Sequence, residues 1–256
     1  MSLNIRYDRG QDGANGWEHR ARALSETIIR SGADIVGIQE GSRPQLEDIV
    51  RWAPQYSFLG VGSAQGDARG VHAAILLRNG RFRILDRGVF WISSSPAVPG
   101  SRSWGNEEPR MCSWVHVQLS DSPDDVWFFN THLDHRAVES RREGLRLIAS
   151  RLPRDAHANV IVGGDFNLTE DDPALAEFAA STGLRDAYRS VHPTRSASEG
   201  TYHGFRSNTD GRRIDFLFVS DEFHIQDTEI FRHSEGEPPP SDHFPVLSRL
   251  QLPSYR

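Results

Sequence analysis

Apolar and polar positions alternate in short runs along this chain, and their period separates strands from helices. Leu3, Ile5 and Tyr7 alternate with Asn4 and Arg6, as in a strand with one face in a core. Arg20–Arg30 carries Ala21, Leu24 and Ile28 at helical spacing. Arg43–Ala53 sets Leu46, Ile49, Val50 and Ala53 on one helical face, with Pro44 in the first turn, where it is tolerated. Between these helices, Asp34–Glu40 is a short apolar strand that ends on a carboxylate. Strands are predicted over Tyr56–Val61, Ala73–Leu77 and Arg81–Leu85, with Asn79-Gly80 as a hairpin turn between the last two. Met111–Leu119 alternates, Val126–Thr131 is apolar up to His132, and Glu139–Leu152 is a third helix. Val160–Leu168 reads V-I-V-G-G-D-F-N-L, a buried strand running into two glycines and two oxygen-bearing side chains. A helix over Ala174–Ser181 and strands over Ile214–Val219 and Phe244–Leu252 complete the pattern.

Ser93–Arg110, Arg189–Gly211 and Glu235–Ser241 are polar, Gly- or Pro-bearing loops. Loops as long as the first two often carry function. No change of composition marks a linker, so residues 1–256 are expected to form one domain. Roughly ten strands and four helices in this order predict an α+β fold, two packed sheets flanked by helices.

Composition narrows the partners. The chain is 37% hydrophobic and 25% charged, ordinary for a globular protein. No apolar run nears the ~20 residues of a membrane span, so no membrane partner is expected. A formal charge of -6 argues against a sequence-independent grip on duplex DNA, which rests on many phosphate contacts. The 29 basic residues are arginines, which suit bidentate phosphate recognition. The single Cys112 excludes an intramolecular disulfide and a cysteine zinc cluster. With a strand pattern close behind Met1 and no leader, a cytoplasmic location is expected. Nothing predicts an obligatory protein partner.

The chemistry-bearing residues gather at strand ends: Asn4, Glu40, His132, Asp165, Asn167, Asp215, Asp242 and His243. Each has an ordinary reading alone. Glu40 before Gly41 fits an exposed strand end, and Asp165 and Asn167 fit a turn. Asp242-His243 would cap a Pro-rich loop, and Asp215 would pair with Arg212 or Arg213. Together they suit metal-assisted hydrolysis of a phosphate ester. Carboxylate and amide oxygens without thiolates select Mg²⁺ or Mn²⁺. A His oriented by a carboxylate, with Asp215 the candidate for His243, takes a proton from water. His132, Asn4 and Asn167 can donate to phosphate oxygens. Alternation along an extended backbone would bring Asp165 and Asn167 to one side, with Phe166 in the core.

The segments L-N-I-R-Y-D, G-I-Q-E, F-N-T-H-L-D-H, G-G-D-F-N, R-I-D-F and S-D-H-F-P-V resemble, in order, the motifs of the endonuclease/exonuclease/phosphatase superfamily. D-G-A-N-G-W-E-H-R, P-R-M-C-S-W and T-Y-H-G-F resemble a bacterial branch of it, often without an assigned substrate. The resemblance implies a four-layer α-β-β-α sandwich of two mainly antiparallel sheets. It also implies Glu40 as main metal ligand with Asn4 and Asp242 nearby, and Mg²⁺ or Mn²⁺ as cofactor. Asp165 would orient or activate the nucleophile beside Asn167, His243 would be the base paired with Asp215, and His132 would contact phosphate. His72, Arg110 and His203 are the expected substrate contacts. Asn130–His135, N-T-H-L-D-H, also resembles the H-x-H-x-D-H zinc motif of the metallo-β-lactamases, with Asn130 in place of the first His. The expected activity is that of a phosphatase or phosphodiesterase on a small phosphorylated molecule. The alternatives are a nuclease acting on a short single strand and a silent binding module.

Overall fold

The computed structural model describes residues 1–155, 157–206, 208–232 and 239–252. The chain runs β1 (Ser2–Asn4), α1 (Trp17–Ser31), β2 (Ile35–Gly41), α2 (Arg43–Trp52), β3 (Tyr56–Leu59), β4 (His72–Arg78), β5 (Phe82–Trp91), β6 (Met111–Leu119) and β7 (Asp125–His132). It continues through α3 (Val138–Arg151), β8 (Val160–Asp165), α4 (Pro173–Thr182), β9 (Arg185–Asp186), α5 (Ala187–Val191), β10 (Asp215–Val219), β11 (His224–Ile230) and β12 (Val246–Gln251).

The strands form two sheets, ordered β11-β12-β1-β2-β4-β3 and β5-β6-β7-β8-β10-β9. Each sheet is antiparallel except for a parallel pair at its centre, β1 with β2 and β7 with β8. A parallel pair needs a crossover, supplied by α1 in the first sheet and α3 in the second. Strand alternation sends each sheet's side chains into two apolar layers. Ile75, Leu77, Val115, Val117, Phe128, Ile161, Leu217 and Val219 meet between the sheets. Their neighbours turn outward, Ala74 and Leu76 to the layer with α1 and α2, and Phe129, Phe216 and Phe218 to the layer with α3 and α4. The result is the expected four-layer α-β-β-α sandwich.

A buried polar bridge crosses the inner layer. Asn130 on β7 donates through Nδ2 to the Ile38 and Ala74 carbonyls at 2.8 Å each, and its Oδ1 accepts from Gln39 Nε2 at 2.6 Å. The amide is thus fully used in joining β7 to β2 and β4.

The Asn79-Gly80 turn exists, with Gly80 at φ +77, but it does not close a hairpin. β4 pairs with β2 and β3, while β5 pairs with β6, so the turn passes the chain from one sheet to the other. β9, α5 and β11 have no counterpart in the pattern of the sequence. β11 is a polar edge strand whose register shifts between Ile225 and Asp227, which interrupts its alternation. α5 spans five residues, too few to show a helical period, and is started by Asp186, whose side chain accepts from the Tyr188 and Arg189 amides.

Candidate active site

The parallel pairs determine where the polar residues collect. Asn4, Glu40, His132 and Asp165 lie at the carboxyl ends of β1, β2, β7 and β8, the edge at which open sheets with crossovers present ligand-binding groups. His132 stands opposite Asp165 in the β7–β8 register, and Asp165 opposite Asp215 in the antiparallel β8–β10 register. Gly164 makes the first of these pairings possible. A Cβ there would lie 2.1 Å from the Thr131 carbonyl oxygen, and φ is +156. Asp242 and His243 arrive just ahead of β12, held by Ser241, whose Oγ donates to the Asn4 carbonyl and accepts from the His243 amide.

The side chains then converge. Asn4 Nδ2 donates to Glu40 Oε1 (3.3 Å) and Asp165 Oδ2 (3.1 Å), while its oxygen accepts from the Arg6 amide. That orientation turns the amide nitrogen, not the oxygen, toward the carboxylates. Glu40 also accepts from the Tyr7 amide at 3.0 Å. His132 Nε2 lies 3.6 Å from Asp165 and 3.9 Å from Glu40. His243 Nδ1 pairs with Asp215 Oδ2 at 2.8 Å, leaving Nε2 to face Asp165 at 3.9 Å. Arg6, Glu40 and Asn167 all adopt positive φ without being glycine, a strain that clusters at functional sites.

Asn167 reaches the site by another route than strand alternation. β8 ends at Asp165, the chain turns with Asn167 at φ +51, and the Asn167 amide donates to Asp165 Oδ1. Its side chain donates to the Leu133 carbonyl. Phe166 does turn into the core as expected. Arg110 is brought in: Nη1 lies 3.1 Å from His132 Nδ1, Nη2 3.1 Å from His135 Nδ1, and Nε 3.3 Å from Asp134. His72 and His203 are set back. His72 is buried with Nδ1 3.1 Å from the Gly41 carbonyl, behind the strand end that carries Glu40. His203 is buried against Phe244, and its amide, with that of Gly204, donates to the Asp242 carbonyl.

Three residues outside the expected catalytic, metal and substrate sets also reach the site. Arg6 pairs with Asp12 and lies 3.9 Å from Asp242, and His135 touches Arg110. Tyr202 places its ring 5.0 Å from that of His243. Each stood inside a segment that carried the family resemblance, which was the available signal.

Charge is unevenly satisfied here. Burial, then Asp215, pushes the Asp165 carboxyl up to about 7. Burial also raises Asp242, with Glu40 adding to it. Burial lowers His243, but Asp215, Asp165 and Asp242 outweigh it and hold the imidazole at about 10. His132 is lowered to about 3 by burial and by Arg110, so it is neutral at pH 7 and can accept from the guanidinium. Burial raises Glu40 too, but contacts with His132, the Tyr7 amide, His243 and Asn4 bring it to about 2. Since His132 is neutral at pH 7, the Tyr7 and Asn4 hydrogen bonds and His243 are what keep Glu40 ionised there. Carboxylates crowded until their own pKa values rise, with oxygen donors and no thiolate, fit a hard divalent cation. Asp165, Asp215 and His243 also offer ligand atoms within 4.8 Å of one another. The His243–Asp215 hydrogen bond already uses one atom of each.

Residues 1–243 match the model of the Endonuclease/Exonuclease/phosphatase family. The mannosyl-6-phosphatase of Bacteroides thetaiotaomicron VPI-5482 is similar, at 34% identity over 98% of each chain and a TM-score of 0.90. So is an endonuclease/exonuclease/phosphatase family protein of Bacteroides thetaiotaomicron, at 33% identity over 97% of this chain and 95% of that one, TM-score 0.89. An uncharacterized protein of Acanthamoeba polyphaga mimivirus, R895, is 22% identical over 214 residues, 71% of this chain but only 31% of the viral protein. Among the described residues no helix is long and apolar enough to cross a membrane.

Proposed function

The chain belongs to the endonuclease/exonuclease/phosphatase family, and from that membership we propose that it hydrolyses a phosphate ester of a small molecule with the help of Mg²⁺ or Mn²⁺. The observation that carries this reading is the juxtaposition of two groups at one sheet edge. A carboxylate cluster of Glu40, Asp165 and Asp242 faces a cationic, hydrogen-bond-donating group built on Arg110 with His132 and His135. The first suits a metal and the second a phosphate.

In this mechanism Asp215 fixes the His243 ring through Nδ1, so that Nε2 takes the proton of the attacking water. Asp165, beside that nitrogen, orients the water. Arg110 and His132 hold phosphate oxygens and stabilise the charge that develops on them. Glu40 and Asp242 are the residues that would hold the cation, and Asn4 joins them only by releasing the Arg6 amide. When bound, the cation supplies positive charge to the leaving oxygen and relieves the carboxylate field that keeps His243 protonated. The likeness to a mannosyl-6-phosphatase along nearly the whole chain supports a phosphorylated sugar as the substrate class.

The test is turnover of a sugar phosphate, a generic phosphodiester and a short oligonucleotide, each with Mg²⁺, with Mn²⁺ and with chelator. Cleavage of the sugar phosphate that requires metal is expected. Oligonucleotide cleavage alone would replace this reading with the nuclease one. His243→Ala should lower kcat by about 10³-fold with the circular dichroism spectrum unchanged, and retained activity would remove His243 as the base.

A further inference from the structure

The segment D-G-A-N-G-W-E-H-R ends on Arg20, which touches none of the chemistry above. Arg20 is buried nonetheless, and no carboxylate pairs with it among the described residues. All its hydrogen bonds go to backbone carbonyls. Nη1 donates to Ile5 (3.0 Å) and Pro240 (2.7 Å), Nη2 to Arg6 (3.3 Å) and Nε to Asn15 (2.6 Å). The guanidinium carbon lies over two rings, 5.4 Å from Trp17 and 5.3 Å from Phe205. Phe205 belongs to the turn that follows Tyr202 and His203 and has a φ of +63.

These acceptors are not scattered. Ile5 and Arg6 follow Asn4, and the Arg6 and Tyr7 amides fix Asn4 and Glu40. Pro240 precedes Ser241, Asp242 and His243. A single nitrogen, Nη1, therefore joins the segment behind Asn4 to the one ahead of Asp242, with Arg20 itself 220 residues from Pro240. Burying a guanidinium with no carboxylate hydrogen-bonded to it is costly, and a Leu or Met would fill the space at less cost. Only a fork of donors satisfies carbonyls arriving from three directions.

We propose that Arg20 is a positioning residue that sets the separation between the Asn4–Glu40 half of the site and the Asp242–His243 half. It rests on the reading of the cluster as a metal-assisted phosphoesterase site.

Arg20→Ala and Arg20→Lys would be compared with the wild type by thermal melting, by Mn²⁺ titration calorimetry and by kinetics on a phosphate ester. In folded Arg20→Ala, kcat should fall about 100-fold, as for a displacement near 1 Å, with KM little changed. Mn²⁺ should bind about tenfold more weakly, and millimolar guanidinium should restore part of both. Arg20→Lys, with one ammonium for several carbonyls, should be similarly impaired. A folded variant with wild-type kcat and Mn²⁺ affinity would overturn the proposal. So would a loss that follows only the folded fraction and is not rescued, or unfolding of both variants, since Arg20 would then act in folding alone. If only Arg20→Ala unfolds, Arg20→Lys decides by the same criteria. If the wild type cleaves no ester, the functional reading fails while Mn²⁺ affinity still decides the role of Arg20.

Discussion

At His243 the field of three carboxylates outweighs burial, and the consequence can be measured on one ring. The folded state binds this proton more tightly than an ordinary imidazole of pKa 6.5 does. The pair therefore stabilises the fold fully below that value and loses the contribution as pH rises through about 10. In metal-free protein the His243 ring resonances should titrate at the upper end of that window. Asp215→Asn, which removes the foremost of the raising charges, should move the midpoint down toward the ordinary range. An unchanged midpoint would show that the hydrogen bond to Asp215 does not control the ring. Asn4 gives a second lesson at this scale. Its residue type is equally suited to ligating a metal and to bracing carboxylates, and only the hydrogen bond from the Arg6 amide to its oxygen distinguishes the two.

Among elements, the junctions between the sheets deserve the sharpest test. Asn130 spends three hydrogen bonds inside the sandwich. Asn130→Ala removes a donor from each of the Ile38 and Ala74 carbonyls and an acceptor from Gln39 inside a buried layer, so unfolding free energy should drop by about 3 kcal/mol, or more if the cavity stays open. Urea denaturation measures this, and a loss under about 1 kcal/mol would mean that water replaces the amide. The same residue shows what the sequence conveyed. β6, with its clean alternation, was legible to the residue, and the helices with a full apolar face were legible to within three residues at each end. Asn130 was legible as polar but not as a bridge, because its acceptors come from β2 and β4, far away in the chain. The Asn79-Gly80 turn was legible too, yet a turn signal does not say which sheet the next strand joins. At the site, Asp165, Asp215 and His243 were readable because motif order carried them. The burial of His72 and His203 depends on packing by distant segments and left no local trace.

For the whole molecule, carboxylates that hold a cation as proposed would couple it to stability and pH. A raised pKa favours the protonated, folded form, so metal-free protein loses the Asp165 contribution as pH climbs from the ordinary 3.8 through about 7. A divalent cation needs these groups ionised. Adding Mn²⁺ should therefore raise Tm more at pH 8 than at pH 5, in proportion to the logarithm of its concentration. Equal shifts at both pH values would place the cation away from Asp165 and Asp242.

β1 lies in the middle of its sheet, bonded on one side to β2 and on the other to β12. β1 thus waits for β12 before its second edge is covered. Contacts this far apart in sequence close late and slowly. During synthesis the second sheet has its central strands long before the first can be completed. Residues Asn4 and Asp242 cannot meet until the chain through Asp242 has left the ribosome, so the site cannot assemble before then.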